Sequence, residues 1–169
     1  MKEVRPTSGL VLKALFDVLG PMEGSGFLDL FAGTGRVGLE AWRRGARPVA
    51  WAEAERARAR AIVQAMPHGA DGATVVALPL RRAVAWLLKR GMTFDVVFAD
   101  PPWHEGWGAE LLSERGLDGL LAPEGTLIVE RSSREELVVP GMWTLTDERA
   151  YGETRLSFLR LAPSSDGRI

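Results

Sequence analysis

Phe27-Leu28-Asp29-Leu30-Phe31-Ala32-Gly33-Thr34-Gly35-Arg36-Val37-Gly38 decides the fold. The apolar run from Gly26 to Phe31 reads as a strand, Ala32 to Gly35 as a tight turn, and Arg36 to about Arg44 as a helix that Gly45 stops. Gly33, Gly35 and Gly38 spell G-x-G-x-x-G between a strand and a helix, the setting in which the pattern points to a nucleotide. Glycines let the backbone turn tightly and approach a ligand closely, and a helix start offers N–H groups with no intrahelical partner. About 20 residues further on, at the end of a second strand, Glu53 is placed to accept both hydroxyls of a ribose. Glu55 competes for that role but reads better as a solvated helix residue with Arg58 or Arg60 nearby.

Two ligands suit this turn. A dinucleotide would seat its pyrophosphate on the helix N-terminus. S-adenosylmethionine has no phosphate and needs a carboxylate near its amino group, which Asp29 offers four residues before Gly33. The turn by itself leaves both open, as well as a strand-to-helix connection that binds nothing. Phe31, Ala32, Gly33, Thr34 and Gly35, with Ala54 beside Glu53 and Leu80 after the third strand, are the remaining candidate cofactor contacts.

On either side of the turn the chain alternates strands and helices. Thr7 or Ser8 caps a first helix whose Leu10, Val11, Ala14, Leu15, Val18 and Leu19 recur at helical spacing, and Gly20-Pro21 end it. Pro48 to Ala52 and Thr74 to Leu78 read as strands, Ala54 to Met66 and Arg81 to Lys89 as helices. Phe94 to Ala99 is an apolar fourth strand, Leu111 to Leu121 a helix broken near Gly116 or Gly119, and Thr126 to Glu130 a fifth strand. Trp143 to Ala150 and Thr154 to Leu161 form a closing hairpin through Tyr151-Gly152-Glu153. Such alternation implies an α/β fold: a parallel Rossmann-like sheet covered on both faces, with an antiparallel strand added by the hairpin.

With 169 residues the chain is long enough for one domain and its core, here residues 1–162, with residues 1–20 as a helical segment packed on it and 163–169 as a frayed tail. Hydrophobic residues at 46% and charged residues at 25% are an ordinary globular mix with no run long enough for a membrane helix. The N-terminal stretch MKEVRPTSG lacks the apolar core of a signal peptide, and without Cys there is no disulfide framework, so a cytoplasmic protein is expected. No cluster has metal-ligand spacing, and none is expected. The net charge of −1 matters, because nucleic-acid binders are usually basic; any such affinity must come from a local patch.

A second motif, Asp100-Pro101-Pro102-Trp103, follows the apolar fourth strand directly. In an open parallel sheet ligands bind beyond the carboxyl ends of the strands, where the strand order switches. The first and fourth strands are the expected neighbours there, so both motifs open onto one crevice. The residue types have a chemical logic. The exocyclic amine of a nucleobase is a poor nucleophile because its lone pair is delocalised into the ring. Acceptors for its two N–H groups draw the nitrogen toward sp³ and free that pair. Asp100 is one acceptor and the Pro101 carbonyl the other, Pro102 helps fix the turn, and Trp103 offers a face on which a base stacks for about 1–3 kcal/mol. The base must be unpaired or flipped to reach such a pocket. This motif favours S-adenosylmethionine over the dinucleotide and methyl transfer to a nucleobase amine over hydride chemistry. His104 is a further candidate substrate contact; it and His68 otherwise read as solvated loop residues.

Taken together, these motifs resemble the RsmD family of bacterial ribosomal RNA methyltransferases. The likeness rests on Arg5-Pro6-Thr7, Ala14-Leu15-Phe16, Leu28 to Ala41, Arg44-Gly45-Ala46, the Asp-Pro-Pro-Trp turn and Tyr151-Gly152-Glu153-Thr154. The resemblance implies a class I methyltransferase sheet of seven strands and methylation of a guanine N2 in 16S ribosomal RNA or an assembling small subunit. Residue chemistry alone leaves guanine and adenine undivided. Three departures stand out: the family's basic segment before Arg-Pro-Thr does not precede the motif here, Lys13 replaces a common Glu, and Ala77-Leu78-Pro79-Leu80 carries no polar side chain for the adenine amine. Leu78 or Leu80 can instead pack on that ring. RNA contact then falls to arginines, with Arg5, Arg36, Arg43, Arg44, Arg131, Arg134 and Arg155 as candidates for phosphates. A monomer is assumed. Methylation of DNA or RNA adenine N6 or of a protein amide, a nicotinamide-dependent dehydrogenase, and a non-catalytic RNA-binding module are the alternatives. The dehydrogenase lacks a convincing acid or base: the lone Tyr151 has no Lys four residues later.

Arg5 and Thr7 have no evident core role and are expected at the substrate entrance. Arg5→Ala should weaken RNA binding and flatten its salt dependence in a binding titration. Affinity equal to wild type at every salt concentration would remove Arg5 from the entrance.

Overall fold

The computed structural model describes residues 7–102 and 106–163. Arg5, Trp103 and His104 therefore lie outside the described residues. Seven strands form one sheet in the order β3-β2-β1-β4-β5-β7-β6. β1 (Phe27–Asp29), β2 (Val49–Ala52), β3 (Ala73–Val76), β4 (Phe94–Ala99) and β5 (Leu121–Ser132) run parallel. β7 (Thr154–Leu161) lies antiparallel to β5 and pairs on its far side with β6 (Trp143–Tyr151). This is the seven-stranded, mostly parallel sheet with a closing hairpin that the family resemblance implies.

Successive side chains of a strand point to opposite faces. Phe27 belongs to the apolar cluster that packs α1 (Gly9–Leu19), α2 (Arg36–Arg43) and α3 (Arg56–Ala65), whereas Leu28 belongs to the cluster that packs α4 (Leu80–Lys89) and α5 (Trp107–Leu112). Val96 and Phe98 join the first cluster, Val97 and Ala99 the second. The helices bury one stripe each: Val11, Leu12, Leu15 and Phe16 on α1, Leu80, Ala83, Val84 and Leu87 on α4. Each large apolar side chain so buried contributes about 1.5–3 kcal/mol. Ser8 caps α1, its Oγ accepting from the Val11 N–H at 3.2 Å, and the Gly20 N–H closes the other end on the Phe16 carbonyl.

One stretch departs from the sequence reading. In place of a helix from Leu111 to Leu121, α5 starts at Trp107 and ends at Leu112, and a single 3₁₀ turn covers Asp118–Leu120. Gly116 is the reason: its φ of 87° breaks the path, and a Cβ there would sit 2.6 Å from Leu88 Cδ1. The chain then enters β5 at Leu121, earlier than the apolar run beginning at Thr126 suggests. The register between β4 and β5 slips between Phe94 and Val96, which accommodates Pro123-Glu124-Gly125 within the strand.

The third glycine of the turn is fixed by packing. Trp51 on β2 is fully buried, and a Cβ on Gly38 would fall 2.3 Å from its Nε1. Gly38→Ala would raise intrinsic helix propensity by up to about 1 kcal/mol. The overlap with a fully buried indole outweighs that gain, and a net loss of about 1–3 kcal/mol is expected in urea unfolding. A variant as stable as wild type would show that α2 and β2 can move apart freely.

Candidate active site

The strand order reverses between β1 and β4, and a cavity of about 880 Å³ opens beyond their carboxyl ends. Both sequence motifs line it. From the glycine turn come Asp29, Phe31, Ala32, Gly33 and Thr34; from the end of β2, Glu53 and Ala54; from the loop after β3, Leu78, Pro79 and Leu80; from the end of β4, Asp100, Pro101 and Pro102. Thr7, expected at the substrate entrance, lies here too.

The turn is held from three sides. Trp51 Nε1 donates to the Gly35 carbonyl at 3.0 Å, Gly33 N–H donates to Glu53 Oε2 at 2.8 Å, and Gly38 N–H donates to Asp29 Oδ2 at 3.1 Å. Glu53 also accepts from the Glu55 N–H at 2.8 Å, so its carboxylate is aimed by two backbone amides before any ligand arrives. Glu55 pairs with Arg58 at 2.8 Å on the surface of α3, as the sequence suggested. Gly35 itself lies outside the cavity lining, with a φ of 78° that L side chains rarely adopt.

The lining is acidic. Asp29, Glu53, Asp100, Glu130 and Glu153 all border the cavity, against Arg36 and Arg58 among its cations. Burial pushes the Asp29 carboxyl up to about 7, with the Gly38 amide lowering it and the charges of Glu53 and Glu130 raising it further. A pyrophosphate entering here would meet like charge, and two of the turn amides already donate to carboxylates. A cationic ligand meets the complementary field.

Several lining residues carry no assignment from the sequence alone. Glu130 is 4% exposed near the end of β5 and accepts from the Thr7 hydroxyl at 3.0 Å. Trp107, at the start of α5, packs edge-on against Phe31 with centroids 5.4 Å apart. The hairpin turn Tyr151-Gly152-Glu153-Thr154 closes one side. A signal for Glu130 exists: like Glu53 and Asp100 it is an acid that directly follows an apolar run, here Leu127-Ile128-Val129.

The arginines expected to meet RNA are largely engaged within the protein. Arg36 Nη1 donates to the Thr7 carbonyl at 3.0 Å, Arg44 pairs with Glu40 at 2.8 Å and covers the Phe16 ring, and Arg134 and Arg155 pair with Glu153 and Glu148. Arg131 is not a surface cation: it is 6% exposed, pairs with Glu148 at 2.7 Å, and also donates to Ser157 Oγ and the Glu135 carbonyl. Arg43 stays exposed.

Comparison with known proteins follows the same outline. The family model described as conserved hypothetical protein 95 matches residues 1–160. The chain is 33% identical over 153 residues to the ribosomal RNA small subunit methyltransferase D of Escherichia coli K12, covering 89% of this chain and 76% of that one. The chain belongs to this family. The Haemophilus influenzae relative of the same name is 31% identical over 156 residues, covering 88% and 79% of the two chains. Among solved structures, a hypothetical protein of Thermus thermophilus superposes with a TM-score of 0.78 at 31% identity, covering 94% of this chain and 89% of that one. The RsmD resemblance read from the motifs is thus matched by family, sequence and fold.

The Asp29 carboxyl makes stability depend on pH in a defined direction. Between its ordinary value of 3.8 and about 7 the native state keeps a proton that the unfolded chain has lost, so stability falls as pH rises through this window. Asp29→Asn keeps an oxygen for the Gly38 amide but cannot ionise. Urea titrations should show it gaining about 2 kcal/mol on wild type between pH 5 and pH 8. A constant difference across that range would rule out the raised value.

Proposed function

We propose that this chain, as a unit of residues 1–162, binds S-adenosylmethionine in the crevice and methylates the exocyclic N2 amine of a guanine in 16S ribosomal RNA. One observation carries the reading: Asp100-Pro101-Pro102 and the glycine turn line a single acidic cavity at the strand switch. The relatives named ribosomal RNA small subunit methyltransferase D support the choice of RNA, as naked strand or assembling subunit. Work as a monomer in the cytoplasm accords with it.

The residues present suit the cofactor. Asp29 faces its ammonium group, and Glu53, aimed by the Gly33 and Glu55 amides, accepts from the ribose hydroxyls. Leu78 or Leu80 would pack on the adenine ring, with Phe31, Ala32, Thr34 and Ala54 lining the same cavity. When bound, the sulfonium supplies the methyl group to the attacking nitrogen. Asp100 and the Pro101 carbonyl accept the two N–H hydrogens of the target amine and hold its lone pair toward the cofactor side. Asp100 is the first acceptor for the proton lost on methylation. Thr7 lines the cavity, and the sequence assigns Trp103 to base stacking and Arg5 and His104 to substrate contact. A dehydrogenase fits poorly, because its pyrophosphate would face carboxylates at Asp29 and Glu53.

Calorimetry should show S-adenosylmethionine binding and no NADH binding. Asp100→Ala should keep that binding yet lose at least about 100-fold in methyl transfer to small-subunit RNA, with the methylated nucleotide mapped by mass spectrometry. NADH binding alone would reverse the cofactor assignment, and full turnover by Asp100→Ala would remove Asp100 from the chemistry.

A further inference from the structure

Two acceptors for an exocyclic amine do not tell one purine from another. Guanine N2 and adenine N6 both offer two N–H groups, and Asp100 with the Pro101 carbonyl serves either. The purines differ at the neighbouring ring position. Beside its 2-amine guanine carries a donor, N1–H; beside its 6-amine adenine carries an acceptor, unprotonated N1.

Glu130 is positioned to read that difference. Val129 pairs with Ala99 in the β4–β5 register, so Glu130 and Asp100 are the next residues along two adjacent parallel strands. Glu130 follows Ile128 by two, on the face of the sheet that Ile128 and Phe98 share, and its charge is felt by Asp29 on that same face. It lines the active-site cavity although only 4% exposed. Holding a carboxylate in a buried strand costs several kcal/mol unless donors meet it. Thr7 provides one donor, to Oε2, and thereby aims the group. An ionised carboxylate has about four lone-pair sites, so Glu130 can accept a ligand N–H beside Thr7 and its other contacts within the protein.

We infer that Glu130 selects guanine by accepting the N1–H of the base whose 2-amine is held by Asp100 and Pro101. The inference rests on the guanine-methylating function proposed above. Adenine in the same pose would set a lone pair against the carboxylate, and a buried polar clash of that kind discriminates strongly. The contact also assists the chemistry. An anion facing N1–H leans electron density into the N1–C2–N2 amidine and makes N2 a better nucleophile. Glu130 thus completes a division of the cavity: Asp29 and Glu53 serve the cofactor half, Asp100 and Glu130 the base half.

The test uses 16S RNA built by splinted ligation with either guanine or 2,6-diaminopurine at the mapped nucleotide. Diaminopurine keeps the 2-amine but has an acceptor at N1. Wild-type protein should favour guanine by about 100-fold in kcat/KM. Glu130→Gln should lose about 10- to 100-fold on guanine and lose far less, or gain, on diaminopurine, because its amide can turn to donate to N1. S-adenosylmethionine affinity and thermal midpoint of the variant show whether its fold is intact. Equal losses on both bases would make Glu130 a structural residue and overturn the inference. A wild-type ratio near one would overturn it without any variant. Wild-type methylation of adenine, or of no base, would instead overturn the function on which it rests.

Discussion

Trp51 meets the bare α-carbon of Gly38 and donates to the Gly35 carbonyl, and the position of everything at the site follows from that contact. Because the indole is fully buried between β2 and α2, the helix can approach the sheet only where a side chain is missing. That approach brings the Gly38 amide onto Asp29 at the end of β1 and the Gly33 amide onto Glu53 beyond β2. A glycine turn is usually described as a source of N–H groups for a phosphate. Here two of those groups already donate to carboxylates of the protein, so the turn presents acids to the ligand. The same sequence pattern thereby serves a cationic cofactor.

The acids recur from strand to strand. Asp29 is the last residue of β1, Glu53 and Asp100 directly follow β2 and β4, and Glu130 stands near the end of β5; in a parallel sheet all such ends lie on one side. Buried carboxylates repel one another, and the raised Asp29 value records part of that cost. Backbone amides and the Thr7 hydroxyl offset some of it, and ligand donors would offset more. Stability is given up at the strand ends, and the crevice is left acidic, which suits a cationic cofactor.

Most of this organisation is legible in the sequence because local signals and tertiary structure agree. β4 runs from Phe94 to Ala99 as the apolar run dictates, and the glycine turn, Glu53 and Asp100 reach one cavity as their spacing implies. Legibility fails where the deciding contact is distant. The sequence marks a break near Gly116 or Gly119 in Leu111 to Leu121, but not that α5 lies earlier, at Trp107–Leu112, nor that Gly116 packs against Leu88. The fifth strand reads as beginning at Thr126, but a slip in register lets β5 start at Leu121 and take in Pro123-Glu124-Gly125. Arg131 looks like a phosphate contact until β6 brings Glu148 against it. Glu130 is hidden for the same reason: its meaning depends on Asp100, thirty residues away and one strand over.

Charge then bears on how the proposed RNA substrate would be met. In a chain of net charge −1, the ties of Arg36, Arg44, Arg131, Arg134 and Arg155 to the Thr7 carbonyl, Glu40, Glu148 and Glu153 weaken the field these five present to a phosphate backbone. Phosphate contacts position a nucleic acid but carry no base identity, whereas contacts to base edges do. Under the proposed function, discrimination between bases then falls to the buried end of the substrate. That end is the acidic cavity, where every acceptor is fixed by a strand end or a proline turn before the base arrives. Rigid acceptors lose little on binding, and their geometry matches one arrangement of N–H groups better than others. On the proposed reading, specificity would thus be a property of the sheet's carboxyl edge, where Asp100 and Glu130 stand side by side at the ends of β4 and β5.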